Sequence, residues 1–156
     1  MSGMSLIRVE AMHANILATL HAQCFDHGWS ENSVVELLAM PGTLALLAEL
    51  TAPQPVGFVM VRRAADVSEI LTLGVIERYR RSGIAQKLIT EAAGILADEG
   101  ARSLHIEVAQ SNTPALKLYE KLGFLHTGHR RSYYARRQGL SEDALTMMSP
   151  LPIAPR

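Results

Sequence analysis

The chain holds a single cysteine, Cys24, which excludes an internal disulfide framework and suits a reducing compartment. Taken alone, Cys24 reads as a small buried hydrophobe on a helix. Neither sign of charge is in excess: fifteen Lys and Arg against fifteen Asp and Glu give a formal net charge of zero. That balance argues against a broad electrostatic footprint for nucleic acid or an anionic membrane surface, so any charged partner must be met locally. No uncharged apolar run reaches membrane-spanning length, and Met1 to Glu10 lack the basic and then apolar pattern of a secretory leader. The expected location is the cytoplasm. The six histidines show no metal-ligand spacing, and no metal is expected. Internal repeats, linkers and low-complexity stretches are also missing. The 156 residues, with 48% hydrophobic content, can bury a substantial core but leave no room for a second, so one domain spanning 1–156 is expected.

The patterning alternates strands and helices. A short strand at Leu6–Val9 is followed by a helix from about Ala11 to Cys24 and another from Ser30 to Met40, with Ser30 as N-cap and Pro41-Gly42 as stop. Thr43–Leu50 and Val56–Arg62 read as strands joined by a proline-bearing turn, and a third runs from about Val67 to Val75. A helix then carries Ile84, Leu88, Ala92, Ile95 and Leu96 on one apolar face and ends at Gly100. The strand Leu104–Val108 leads to a short helix capped by Asn112 or Thr113, with Pro114 in its first turn and Gly123 just past its end. Two last strands are expected near Phe124–Tyr134 and Ala144–Met148. The crossover from the strand ending at Val75 through a helix to Leu104–Val108 makes those two strands parallel neighbours.

Chemistry enters at Arg80-Arg81-Ser82-Gly83-Ile84-Ala85, an R-x-x-G-x-A turn between a strand and a helix. A glycine-bearing turn that opens a helix aims several backbone N–H groups in one direction beside the positive end of the helix dipole, an arrangement that holds a pyrophosphate. Glycine before a helix is also often only a tight turn. On Leu104–Val108 the alternation puts Leu104, Ile106 and Val108 on one face and His105 and Glu107 on the other. A carboxylate in mid-strand is costly unless it is solvated, paired with an arginine, or functional. Tyr119 shares the apolar side of its helix with Ala115, Leu118 and Leu122, so spacing alone supports packing.

The order strand, R-x-x-G-x-A, helix, strand, then Ser111-Asn112-Thr113-Pro114-Ala115-Leu116-Lys117-Leu118-Tyr119-Glu120-Lys121-Leu122-Gly123-Phe124 resembles the core of the GNAT superfamily of acetyl-CoA-dependent N-acetyltransferases. Trp29-Ser30-Glu31, Arg130-Arg131-Ser132-Tyr133-Tyr134 and Glu142-Asp143-Ala144 extend the resemblance to the bacterial ribosomal-protein alanine N-acetyltransferases, over most of the chain. The resemblance implies an α/β (α+β) GNAT fold: a mixed, mostly antiparallel sheet of about seven strands, splayed at the cofactor site, with helices on both faces. It implies acetyl-CoA as donor, with its pantetheine arm paired to the backbone of Leu73, Gly74 and Val75. Its phosphates would lie near Arg80, Arg81, Ser82, Gly83, Ile84, Ala85 and Gln86, with a further contact at Asn112, whose plainer role is helix capping. Gly74 fits either a bulge or close backbone approach, or a glycine that eases packing. Glu107 would be the general base and Tyr119 the general acid, its phenol pKa of roughly 10 being close to that of an alkyl thiol.

Trp29, Tyr133 and Tyr134 would line the peptide site, although adjacent tyrosines beside arginines also suit base stacking. Two positions depart from the family's habit: Glu77 stands where relatives commonly have proline, and Ala85 where they have glycine. Glu77 near a phosphate is mildly repulsive and Ala85 narrows the loop, so both would weaken the cofactor's hold.

An α-amino group has a pKa of about 7.7–8.0 against roughly 10.4 for lysine, so a modest base suffices for a protein N-terminus. The expected activity is N-α-acetylation of a protein N-terminus, the terminal alanine of a small-subunit ribosomal protein, by a monomer. Acetylation of lysine side chains or small-molecule amines is an alternative, as is a non-catalytic CoA-binding module.

Overall fold

The computed structural model describes residues 3–50, 54–135 and 141–154, the side chains of 132–135 and 141 excepted. In chain order the elements are β1 (Ser5–Arg8), α1 (Ala14–Cys24), α2 (Glu31–Ala39), β2 (Thr43–Leu50), β3 (Gln54–Ala64), β4 (Val67–Val75), α3 (Ile84–Asp98), β5 (Ser103–Ala109), α4 (Thr113–Lys121), β6 (Leu125–Ala135) and β7 (Ser141–Pro150), with short 3-10 turns at Ala11–His13 and Glu77–Tyr79. The expected first helix is therefore a 3-10 turn followed by α1. Ser30 caps α2 as its sequence position suggests, its side chain accepting from the Ser33 N–H.

One seven-stranded sheet runs β1-β2-β3-β4-β5-β7-β6, and every neighbouring pair is antiparallel except β4 with β5. This is the mixed, mostly antiparallel sheet of seven strands that the resemblance implies. The apolar runs of β2 and β3 are buried on both faces, and their alternation divides the core in two. Leu44, Leu46, Val59 and Val61 join Ile84, Leu88, Ala92 and Leu96 of α3, Tyr119 of α4 and Leu122 just past its end on one face. Ala45, Leu47, Phe58 and Met60 join Leu17 and Leu20 of α1 and Val34 of α2 on the other. On α3, Ile89 and Ala93 complete the buried face while Ile95 is only half-buried.

The feature that positions the site is the parting of β4 from β5. They pair only through Val67↔Ser103, Ser68↔Leu104 and Glu69↔His105, at the start of each strand. Beyond Glu69 the register of β4 with β3 shifts: Met60 pairs with Thr72 and Val61 with Ile70, so Leu71 is the extra residue of a β-bulge. A bulge bends and twists its strand, and β4 turns away from β5 from that point. The bulge thus sits at Leu71, not at Gly74.

Candidate active site

At the open end of the gap, strand alternation decides which backbone groups face it. The Ile76 N–H donates to the Val56 carbonyl at 2.9 Å, so by alternation Gly74, register partner of Phe58, also turns its N–H and C=O toward β3. Leu73 and Val75 then direct theirs the other way, into the gap. The resemblance implies one backbone contact at Leu73, Gly74 and Val75, whereas Gly74 pairs with β3. A Cβ on it would stand 2.7 Å from Cζ of Phe58 and 3.1 Å from Cβ of Cys24, so glycine lets α1 and the Phe58 ring close on β4.

The loop after β4 leads into α3. Its Arg80 N–H donates to the Glu77 carbonyl at 3.1 Å, the Ser82 hydroxyl bonds the Tyr79 carbonyl, and the chain passes through left-handed backbone at Arg81 (φ 63) and Gly83 (φ 85). Open space surrounds the missing side chain of Gly83, so only its φ calls for glycine. Gly83 is the N-cap of α3 and no side chain caps it. The first intrahelical bond runs from the Lys87 N–H to the Gly83 carbonyl at 3.1 Å, so the N–H groups of Ile84, Ala85 and Gln86 lie ahead of any helical acceptor. Ile84 is buried in the core and can contribute only its backbone. Arg81, Ser82 and Glu77 are exposed, and Ala85 and Gln86 half-buried.

Arg80 points elsewhere than the sequence suggests. Its Nε donates to the Val75 carbonyl at 2.8 Å, which ties the loop back onto β4. The guanidinium also lies beside Cys24: burial pushes that thiol upward, and the Arg80 charge and hydrogen bond partly oppose it. Asn112 is the N-cap of α4, its Oδ1 accepting from the Ala115 N–H at 3.3 Å.

Glu107 lies on the face of β5 opposite the Leu104 and Val108 cluster, and its Oε1 accepts from Nη1 of Arg130 at 2.7 Å. Tyr119 belongs to the other face, 3% exposed, with its ring edge-on to Phe124 at 5.2 Å between centroids. Glu107 and Tyr119 therefore sit on opposite sides of the sheet, and the gap between β4 and β5 is what connects those sides.

Trp29 forms part of an aromatic stack at the corner of α1 and α2. The His21 ring lies between Phe25 and Trp29, 4.5 Å from each, and its Nδ1 accepts from the Trp29 N–H at 3.1 Å. The outer side of Trp29 borders an open groove with Asn15, Ala18, Thr19 and Ala22. His21 went unread in the sequence, although its place beside Leu17 and Leu20 on the stripe of α1 was the available signal. Tyr133 and Tyr134 lie on β6, but their side chains fall outside the described residues.

Burial lowers the pKa of His21, so the folded protein favours its neutral, accepting ring. A folded pKa below the unfolded value of about 6.5 means that this stability is complete above pH 6.5 and is lost as pH falls below it. Melting curves from pH 7.5 down to pH 5 should therefore show a steeper loss for the wild type than for His21→Gln. Parallel curves would exclude the effect.

Among the described residues, no group of three or more His, Cys, Asp and Glu side chains is placed to hold a metal ion. None of the helices in those residues is long and apolar enough to cross a membrane.

The model of the acetyltransferase (GNAT) family matches residues 14–124. The chain belongs to the GNAT acetyltransferase family. It is 32% identical over 124 residues to the ribosomal protein bS18-alanine N-acetyltransferase of Salmonella typhimurium, covering 79% of this chain and 81% of that protein. The corresponding protein of Haemophilus ducreyi is 34% identical over 92 residues, and there the match covers 59% of this chain and 63%, under two thirds, of the relative. Among solved structures, the ribosomal-protein-S18-alanine N-acetyltransferase from Escherichia coli superposes with a TM-score of 0.87 at 24% identity, over 97% of this chain and 96% of the other. Arabidopsis thaliana NAA60 in complex with acetyl-CoA gives 0.83 at 20% identity, over 95% and 98%. At these identities the two structures establish the fold.

Proposed function

We propose that the chain transfers the acetyl group of acetyl-CoA to the N-terminal amine of a protein, and that the substrate is the alanine terminus of a small-subunit ribosomal protein. The observation that carries this reading is the parting of β4 from β5 beyond Glu69 and His105. An extended amide-bearing arm laid in the gap pairs with the N–H and C=O groups of Leu73 and the N–H of Val75 as an added strand would, the Val75 carbonyl being held by Arg80. The uncapped N-terminus of α3, with the N–H groups of Ser82 to Gln86, suits the pyrophosphate at the arm's far end. Arg81 is an exposed cation beside that terminus, and Arg80, also exposed, holds the loop to β4 through its Nε. Asn112 contributes through the cap of α4, fixing the helix that carries Tyr119.

With the thioester in the gap, Glu107 reaches it from one side of the sheet and Tyr119 from the other. Glu107 takes a proton from the incoming amine, directly or through a water. The amine nitrogen bonds to the carbonyl carbon, and the Val75 N–H stabilises the developing oxyanion. The C–S bond then breaks as Tyr119 gives its proton to the departing thiolate, and the new amide nitrogen releases its extra proton to water, from which Tyr119 is reprotonated. The alanine terminus comes from the names of the Salmonella and Haemophilus relatives.

The test is incubation with acetyl-CoA and short peptides beginning with Ala, Ser, Met or acetylated Ala, each with one internal lysine, followed by mass spectrometry to locate the acetyl group. The expected product is the Ala peptide acetylated at its α-amine, with the blocked peptide untouched. Lysine modification would replace this reading with a side-chain acetyltransferase. Binding of CoA with no transfer would replace it with a small-amine enzyme or a silent module.

A further inference from the structure

We propose that Arg130 is a specificity-determining residue of the acceptor site: by occupying an oxygen of the Glu107 carboxylate, it denies cationic amines, lysine side chains above all, a place to bind. This rests on the reading of Glu107 as the base facing the acceptor.

The sheet order makes the contact. β7 lies between β5 and β6, Glu107 is in register with Thr146, and Arg130 with Ala144. In antiparallel strands, register partners point to the same face, so Glu107, Thr146, Ala144 and Arg130 share one face. Ala144 is a fully buried methyl group, and Gly128, the β6 partner of Thr146, has no room for a side chain, since a Cβ there would stand 2.6 Å from the Thr146 hydroxyl. Nothing bulky rises between the two strands, and the arginine stretches across β7 to meet Oε1 of Glu107 at 2.7 Å. Both side chains remain open to solvent, 51% for Arg130 and 34% for Glu107, so an incoming amine meets the pair rather than a bare carboxylate.

Among the described residues, the other titratable groups placed on this face include His105, which contacts the Ser103 hydroxyl at 3.0 Å, Glu142, whose Oε2 accepts from the Ser111 N–H at 3.2 Å, and Glu69, the exposed register partner of His105. The His129–Asp143 and His126–Glu120 pairs are on the opposite face, by the alternation of β6 and β7.

An ammonium group gains from a carboxylate whose charge is not already answered, and loses most of that gain when a guanidinium stands beside it. A neutral amine needs only an acceptor lone pair and is indifferent to the neighbour's charge. At pH 8.5 an α-amine of pKa about 7.7–8.0 is mostly neutral while lysine, at roughly 10.4, is cationic. The ion pair therefore separates the two amine classes by charge.

The experiment is a calorimetric titration at pH 8.5 of the CoA-saturated protein with an N-acetylated Ala peptide carrying one lysine. A matched peptide with norleucine in place of lysine serves as the neutral probe. The lysine peptide should bind Arg130→Met about tenfold more tightly than wild type, while Arg130→Lys, which keeps a cation there, stays within about twofold. The norleucine peptide should bind all three alike, and the gain should vanish in Glu107→Gln/Arg130→Met. Lysine peptide binding that is unchanged in Arg130→Met, or an equal gain by the norleucine peptide, overturns the proposal. These titrations need no turnover, so they are judged separately from the acetylation of Ala peptides, on which the reading of the activity stands.

Discussion

Replacing Glu107 by glutamine should lower kcat/KM for an Ala-starting peptide at pH 7 by about 10²–10⁴-fold, the range by which a positioned general base accelerates proton transfer. Glutamine keeps the shape of the side chain and can still accept from Arg130 through its carbonyl oxygen, but it cannot take a proton from the amine. The fold should hardly notice: the Glu107–Arg130 pair is 34% and 51% exposed, and an ion pair so screened contributes only about 0–1 kcal/mol. The deficit should also narrow as pH rises through the amine's own pKa of about 7.7–8.0, because an amine already neutral in solution needs no base. Tyr119→Phe should behave differently. It is 3% exposed and packed on Phe124, so loss of its hydroxyl should lower kcat without any rescue at high pH. Steady-state kinetics from pH 6.5 to 9.5, with CoA binding measured beside them, separate these outcomes. Wild-type rates in Glu107→Gln across that range would leave Glu107 as no more than the partner of Arg130.

The local parts of this site were legible in the sequence because their signals are local. The turn at Arg80–Ala85 joins a strand to a helix within a few residues, and its φ of 85 at Gly83 is a demand that only neighbouring backbone sets. The caps at Ser30 and Asn112 and the alternation that isolates Glu107 from Leu104 and Val108 are of the same kind. What the sequence concealed depends on order in space. Arg130 meets Glu107 only because β7 inserts between β5 and β6, and no periodicity in either strand announces that insertion. The bond from Arg80 Nε to the Val75 carbonyl depends on where the loop folds back on β4, which composition does not decide. The bulge at Leu71 carries no glycine to mark it, so the sequence drew attention to Gly74 instead. His21 was hidden for another reason: a histidine on an apolar stripe reads as an exposed polar exception until Phe25 and Trp29 are folded over it.

Gly74 links the two halves of the molecule, and Gly74→Ala should weaken both fold and cofactor binding. The added methyl group would lie 2.7 Å and 2.9 Å from two ring atoms of Phe58 and 3.1 Å from Cβ of Cys24. Phe58 is fully buried and leans on His21 at 5.6 Å and Phe25 at 6.4 Å between centroids, so the ring has little freedom to retreat. Overpacking of this kind costs about 1–3 kcal/mol, which in a chain of this size lowers the melting temperature by about 2–4 °C per kcal/mol. Part of the strain can be relieved by displacing β4 away from α1. That displacement moves the N–H and C=O groups of Leu73 and Val75, so KM for acetyl-CoA should rise while the peptide's KM changes less. Phe58→Leu in the same chain should recover part of both losses, since the smaller side chain vacates the space the methyl requires. A melting temperature and a KM for acetyl-CoA indistinguishable from wild type in Gly74→Ala would mean that the Phe58 ring shifts at no cost, and that close packing at Gly74 does not set the position of β4.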